Sequence, residues 1–139
     1  MKIDACLTSK TDDWKTPTSI YKKFMKNGYF DPCPFQSTFD GLSIEWKEKN
    51  YVNPPYSKLK IWVNKCIEQH KLKKEVIMLI PARTDTKAFK MLYDYGVHFI
   101  FISGRLKFND SGSAPFPSMF VRLVGGGFST FELVERGNL

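Results

Sequence analysis

The run Val76-Ile77-Met78-Leu79-Ile80 constrains this chain more than any other segment. Successive side chains of a strand point to opposite faces, so five apolar residues in a row cannot leave one face wet. At this length the run predicts a strand covered on both sides, as in the parallel sheets of α/β domains. It is far too short to span a membrane, and no longer run of this kind occurs. Val97 to Ile102 repeats the pattern. Between these runs the periodicity turns helical. Residues 58–70 place Ile61, Trp62 and Cys66 inward, and residues 84–95 place Ala88, Phe89 and Leu92 inward before Gly96 stops them. Upstream, Thr16 is positioned to cap a helix that Pro17 opens, with Ile20, Tyr21 and Phe24 on one face and Asn27-Gly28 at its end. Tyr29-Phe30-Asp31 predicts a short strand broken at Pro32. The tail offers β-runs at 118–124 and 128–134, joined as a hairpin by Gly125-Gly126-Gly127. The expectation is a three-layer α/β domain with a mostly parallel central sheet and a C-terminal antiparallel hairpin.

Length and charge narrow the field. The 139 residues suffice for one core. Residues 1–13 are polar and aperiodic and read as a flexible arm ahead of a single domain, residues 14–139. The net charge of +7 favours a polyanionic partner. Many of the lysines, among them Lys22, Lys23, Lys26, Lys65 and Lys71, also suit the solvated faces of helices. Cys6, Cys33 and Cys66 are odd in number and widely spaced, so they read as free thiols rather than a disulfide framework or a zinc site. The N-terminus lacks a signal-peptide core, which predicts a cytoplasmic protein. His70 and His98, in a helix end and a strand, leave metal hydrolysis and Ser-His relays without their parts.

The segment with the most chemistry is Asn53-Pro54-Pro55-Tyr56. Two prolines fix φ near −65° and remove two backbone donors, so the turn presents acceptors. The Asn53 side-chain oxygen and the Pro54 carbonyl can take both hydrogens of an exocyclic NH2. That draws the nitrogen lone pair out of the ring and makes it nucleophilic. Tyr56 adds a flat face for an extruded base. Tyr51-Val52 reads as the end of a buried strand, which puts this corner at a carboxyl edge, where open α/β sheets bind ligands. The same four residues also fit a proline-rich turn carrying a surface aromatic.

Other segments admit two readings each. Asp31-Pro32-Cys33 and Asp40-Gly41-Leu42 supply acidic acceptors for a nucleoside cofactor, or simply Asp-initiated turns. Arg83, leaving the strand at Pro81, clamps a phosphate or faces solvent, with Thr84 or Asp85 capping the next helix. Arg105 and Lys107 interleave charge with Leu106 and Phe108 in the manner of nucleic-acid contacts. Phe116, in the rigid loop Ala114-Pro115-Phe116-Pro117-Ser118, is a candidate wall for a base or cofactor.

Taken in order, these segments resemble the phage-type (Dam-like) DNA adenine-N6 methyltransferase family. The resemblance rests on Asp13-Trp14-Lys15-Thr16-Pro17, Phe30-Asp31-Pro32-Cys33, Asp40-Gly41-Leu42 with Trp46, and Asn53-Pro54-Pro55-Tyr56-Ser57. It continues through Pro81 to Thr86, Gly104 to Phe108 and Ala114 to Ser118. It implies a compact Rossmann-like methyltransferase fold and methyl transfer from S-adenosylmethionine to adenine N6 in double-stranded DNA, in a viral or prophage setting. It assigns Asn53 through Tyr56 to catalysis and Thr16, Pro17, Asp31, Pro32, Cys33 and Asp40 to the cofactor. Lys58, Arg83, Thr84, Arg105, Lys107 and Phe116 fall to the DNA, and no metal is implied. The Gly-rich cofactor loop of larger methyltransferases is absent, as is an acidic ribose-binding residue after a second strand. A methyltransferase of another class, acting on cytosine N4, an RNA base or a protein glutamine, would use the same corner. A non-catalytic nucleic-acid-binding module on this fold is the other alternative. A homodimer on a palindromic site is compatible with the sequence.

Overall fold

The computed structural model describes residues 14–108 and 114–139. The expected N-terminal arm and Cys6 lie outside the described residues. Helix α1 (Thr18–Lys26) is followed by strand β1 (Lys49–Val52), α2 (Leu59–Lys71), β2 (Glu75–Pro81), α3 (Lys87–Tyr95), β3 (Val97–Ser103), β4 (Ser118–Leu123) and β5 (Thr130–Glu135). The strands form one sheet in the order β1-β2-β4-β3-β5.

Side-chain alternation along β2 shows why both faces had to be covered. Val76, Met78 and Ile80 pack with Trp62, Val63 and Cys66 of α2 and with Ala88 and Leu92 of α3. Leu79 points the other way, into a second cluster with Ile20 of α1, Tyr51 and Phe120. The result is α1 on one face and α2 with α3 on the other, the three layers expected from the alternating pattern. On α2 the inward stripe is Trp62, Val63, Cys66 and Gln69. Ile61, expected inward, is exposed, because it stands about 100° round the helix from Trp62, on the side away from Val63.

The sheet is mixed, not mostly parallel. β1 pairs with β2 and β3 with β5 in parallel, whereas β4 is antiparallel to both β2 and β3. The expected hairpin is also absent, since β3 lies between β4 and β5. Both departures follow from where the chain enters the sheet. After β3 it leaves at the carboxyl edge and re-enters at Ser118 from that same edge, so β4 must run backwards. Residues 124–129 then pass under the amino end of β3, and β5 enters from there, parallel to β3. Gly125, Gly126 and Gly127, with φ of 87°, 83° and 81°, bend this crossing rather than a two-strand turn. The Gly96 carbonyl accepts from Val124 and Gly125 at 3.0 and 2.8 Å, and Gly127 donates to Tyr95 O at 3.0 Å.

Smaller expectations also shift. Tyr29-Phe30-Asp31 makes only a single parallel bridge, Phe30 to Asn50, along the edge of β1. Thr16 does not cap α1; Pro17 lies just outside the helix, and its carbonyl accepts from Ile20 and Tyr21 at 3.0 Å. The cap of α3 is Thr86, whose Oγ1 accepts from Phe89 N at 3.2 Å, rather than Thr84 or Asp85. Cys66 is a free, buried thiol, but Cys33, expected free, is disulfide-bonded. Both histidines are committed to packing: His70 Nδ1 pairs with Tyr95 OH at 2.5 Å, and His98 bonds Thr130 and Glu132 across the β3–β5 seam. No helix among the described residues is long and apolar enough to cross a membrane.

Gly96 is the joint on which the crossing rests. Its φ is +103°, and a Cβ there would stand 2.5 Å from Gly125 O. Gly96→Ala is therefore expected to destabilise the fold by about 2 kcal/mol or more through strain and overlap together. A lowered midpoint in urea titration checks this.

Candidate active site

β1 ends at Val52 and the chain turns at once. Pro54 and Pro55 are buried, and Pro55, at φ −62° and ψ 127°, leads into a short 3-10 turn over Tyr56–Lys58 that opens α2. The corner thus lies at the carboxyl edge of β1, as its sequence position implies. Among the described residues, Asn53 is held there by three hydrogen bonds. Its Nδ2 donates to Trp14 O at 2.5 Å and to Thr16 Oγ1 at 3.1 Å. Its Oδ1 accepts from the Tyr56 hydroxyl at 3.1 Å. The Pro55 carbonyl accepts from Lys58 N at 3.0 Å, while no hydrogen bond among the described residues occupies that of Pro54.

Tyr56 carries the corner toward a cavity of about 410 Å³, whose walls include Trp14, Tyr56, Pro81, Arg83, Pro115 and Phe116. The ring of Phe116 stands edge-on to Tyr56 at 5.4 Å and to Trp14 at 5.2 Å. The Arg83 guanidinium lies 5.9 Å from the Phe116 centroid. An aromatic box with one cation at its mouth suits a flat, electron-rich ring. Burial raises the pKa of the Tyr56 phenol, so it stays a neutral donor. Trp14 was part of a motif in the sequence, but nothing in its spacing marks it as a wall. Only the return of residues 14–16 to the end of β1 does so.

The segments proposed for a cofactor converge beside the corner. Phe30 N donates to Lys49 O and Tyr51 N to Phe30 O, which lays Asp31 along β1 toward the same carboxyl edge. Asp31 Oδ1 accepts from Cys33 N at 2.9 Å, and the carboxylate also takes a bond from Tyr21. Desolvation raises its pKa from 3.8 to about 6 despite both bonds. Tyr21, itself desolvated and facing that acid, is pushed up to about 12. Asp40 is tied into the turn it starts, with Oδ1 accepting from Leu42 N at 3.0 Å. The two acidic segments touch through Gly41. A Cβ there would lie 1.8 Å from Pro32 O and 3.1 Å from the Trp62 ring. Trp46 Nε1 donates to Gly41 O at 2.8 Å and pins the contact. Gly41 and Trp46 are the members of this site whose role spacing alone does not show.

Residues 5–118 match the family of DNA N-6-adenine-methyltransferases (Dam). The chain belongs to that family. No curated protein matches it. Among solved structures, a predicted O-methyltransferase from Agrobacterium tumefaciens aligns at 14% identity with a TM-score of 0.40. That alignment covers 69% of this chain and 44% of the other, so the chain spans less than half the length of that protein.

Within this family member the remaining candidates lie apart from the corner's hydrogen bonds. Thr84 is exposed on the turn before α3. Lys58, Arg105 and Lys107 are exposed, with Arg105 Nη1 reaching Ala114 O at 3.4 Å. Phe116 is buried against Trp14 and Phe108.

Two expectations follow from this geometry. Gly41→Ala, by forcing a methyl group against a main-chain carbonyl, separates the two acidic segments; a stability loss of about 3 kcal/mol is expected, read by denaturant titration. Asp31 acts on stability through pH. Its pKa is raised on folding, so the native state holds the proton more tightly, and the stability it contributes at low pH is lost as pH rises from about 4 to about 6. Asp31→Asn removes that loss, and its thermal midpoint is expected to exceed wild type at pH 7 but not at pH 4.

Proposed function

We propose that this chain transfers a methyl group from S-adenosylmethionine to the N6 amino group of adenine in double-stranded DNA. One observation carries the reading: Asn53 has its amide nitrogen engaged by Trp14 O and Thr16 Oγ1 and its oxygen bonded to Tyr56, which lines an aromatic-walled cavity. Family membership supports the same chemistry. The resemblance to phage-type members supports a viral or prophage source, with the host cytoplasm as the place of action.

The residues do the following. Oδ1 of Asn53 and the Pro54 carbonyl accept the two N–H groups of the target amine. As those bonds form, the nitrogen lone pair leaves conjugation with the purine and becomes available along a line away from the ring. Tyr56 stacks on the flipped base, and Phe116 and Trp14 exclude water from it. Tyr56, kept neutral by burial, does not serve as a base, and the amine sheds its proton to solvent after it is alkylated. Positioning and oriented acceptors supply most of the rate in this scheme. The exposed Lys58, Arg83, Arg105 and Lys107 contact phosphates, as does Thr84, which follows Arg83 on the same exposed turn.

S-adenosylmethionine supplies an electrophilic methyl group and carries a cationic ammonium. Asp31 fits that cation: its carboxyl is desolvated, and among the described residues no lysine or arginine pairs with it. Pro17, Asp40 and the backbone of Pro32 and Cys33 complete the proposed cofactor contacts.

The test is transfer of labelled methyl to unmethylated duplex DNA, followed by digestion to nucleosides. Label in N6-methyladenine is the expected result. Label in cytosine would reassign the target base, label only when RNA or protein is offered in place of DNA would reassign the substrate, and no label with no cofactor binding would leave a nucleic-acid-binding module. Asn53→Ala is expected to lower turnover by at least about 10²-fold, as for removal of one preorganised polar group, with DNA affinity by gel shift largely retained. Turnover intact in that variant would remove Asn53 from catalysis.

A further inference from the structure

Asn53 is a side chain whose two ends differ in a single respect: one donates and the other accepts. Which end faces the substrate therefore decides whether the corner binds an amine or repels it. The structure fixes this choice from the far side. The atom facing Trp14 O must be the nitrogen, because a main-chain carbonyl has no hydrogen to give. The second hydrogen of that nitrogen goes to Thr16 Oγ1. Thr16 Oγ1 in turn lies 2.8 Å from Tyr51 OH, and both residues are buried. Tyr51 precedes Asn53 by two residues at the end of β1, and its ring stacks on Phe24 of α1 at 4.3 Å. The hydroxyl of Thr16 is thus seated by a ring that cannot shift without α1. Residue 16 also adjoins Pro17, whose carbonyl receives the first N–H groups of that helix.

Sequence resemblance gives Thr16 to the cofactor. The geometry points elsewhere: we propose that Thr16, seated by Tyr51, is a positioning residue that fixes the amide of Asn53 with its oxygen toward the target amine. The inference rests on the reading of Asn53 as acceptor of that amine. With the amide reversed, N–H would face N–H, no lone pair would be drawn out of the purine, and the base would be held off. Trp14 O alone sets which end is the nitrogen; without Thr16 Oγ1 the amide keeps that one bond and swings about it, so its oxygen is no longer held at one place. Tyr56 donates to one lone pair of Oδ1 and leaves the second for the substrate hydrogen.

Three variants of the full chain test this. Thr16→Val keeps the shape and removes the hydroxyl; kcat is expected to fall by about 10²-fold, the scale of a misplaced reacting group. Cofactor Kd by calorimetry stays at the wild-type value. Thr16→Ser, which restores the hydroxyl, recovers most of kcat. Tyr51→Phe, which keeps the stacked ring, gives a smaller loss of kcat in the same direction. A second readout does not need activity. In 1H–15N spectra the two side-chain amide protons of Asn53 are expected to be distinct and protected from exchange in wild type and Thr16→Ser, and to exchange fast in Thr16→Val. Weakened cofactor binding with kcat retained in Thr16→Val would return Thr16 to the cofactor site and overturn the proposal. Unchanged Asn53 amide signals in that variant would overturn it as well. A wild-type chain that methylates no DNA, yet shows the expected response of the Asn53 amide, would defeat the methyltransferase reading and leave the clamp standing.

Discussion

The amide of Asn53 joins two parts of the chain that are 37 and 39 residues apart, and much of the site depends on that link. Two acceptors from residues 14 and 16 hold the nitrogen, so the segment before α1 is drawn across the end of β1. Trp14 arrives with it and meets Phe116 and Phe108 from the other side. The cavity beside Tyr56 exists because this segment returns there. Polar contacts of this kind are worth about 1 kcal/mol each in net stability. Their value here lies in direction, since they select one of two orientations of a nearly symmetric group.

The sheet supplies the frame for that link. Val52 and Pro81 end on the same carboxyl edge because β1 and β2 are parallel, which puts the corner and Arg83 on one rim. β4 begins on that rim too, since it runs the other way, and so brings Phe116 and Ser118 beside Pro81. Ser118 pairs directly with Pro81 in the register. A strand entering from the opposite edge would have carried the Phe116 loop to the far end of the molecule. The reversed strand that broke the expected sheet pattern is therefore what assembles the wall of the cavity.

The proposed cofactor side follows a different logic, in which close approach matters more than hydrogen bonding. Gly41 lets the turn at Asp40 lie against the Pro32 carbonyl, with Trp46 and Trp62 behind it. This contact puts two acidic turns next to each other and next to β1 without any Gly-rich loop. The half-buried Asp31 carboxyl is desolvated, which raises its pKa and is the reason it is proposed to take a cation.

Much of this was legible in the residues themselves. The apolar run at 76–80 determined a strand covered on both faces, the periodicity of 58–70 a helix against it, and Asn53-Pro54-Pro55-Tyr56 a corner rich in acceptors. These are local consequences of side-chain alternation, helical spacing and the restricted φ of proline, and they need no partner elsewhere in the chain. What the sequence left open were the choices made between distant segments. Gly125-Gly126-Gly127 has the composition of a hairpin, yet becomes a crossing because β3 occupies the slot beside β4. Ile61 has the right hydrophobicity for the core, but the sheet meets α2 at Trp62 and Cys66 instead. Thr16 has the form of a helix cap and takes the amide of Asn53. Composition and spacing determine which groups can bond or bury, whereas only the tertiary structure decides which partner reaches them first, because that depends on the edge at which each strand enters the sheet.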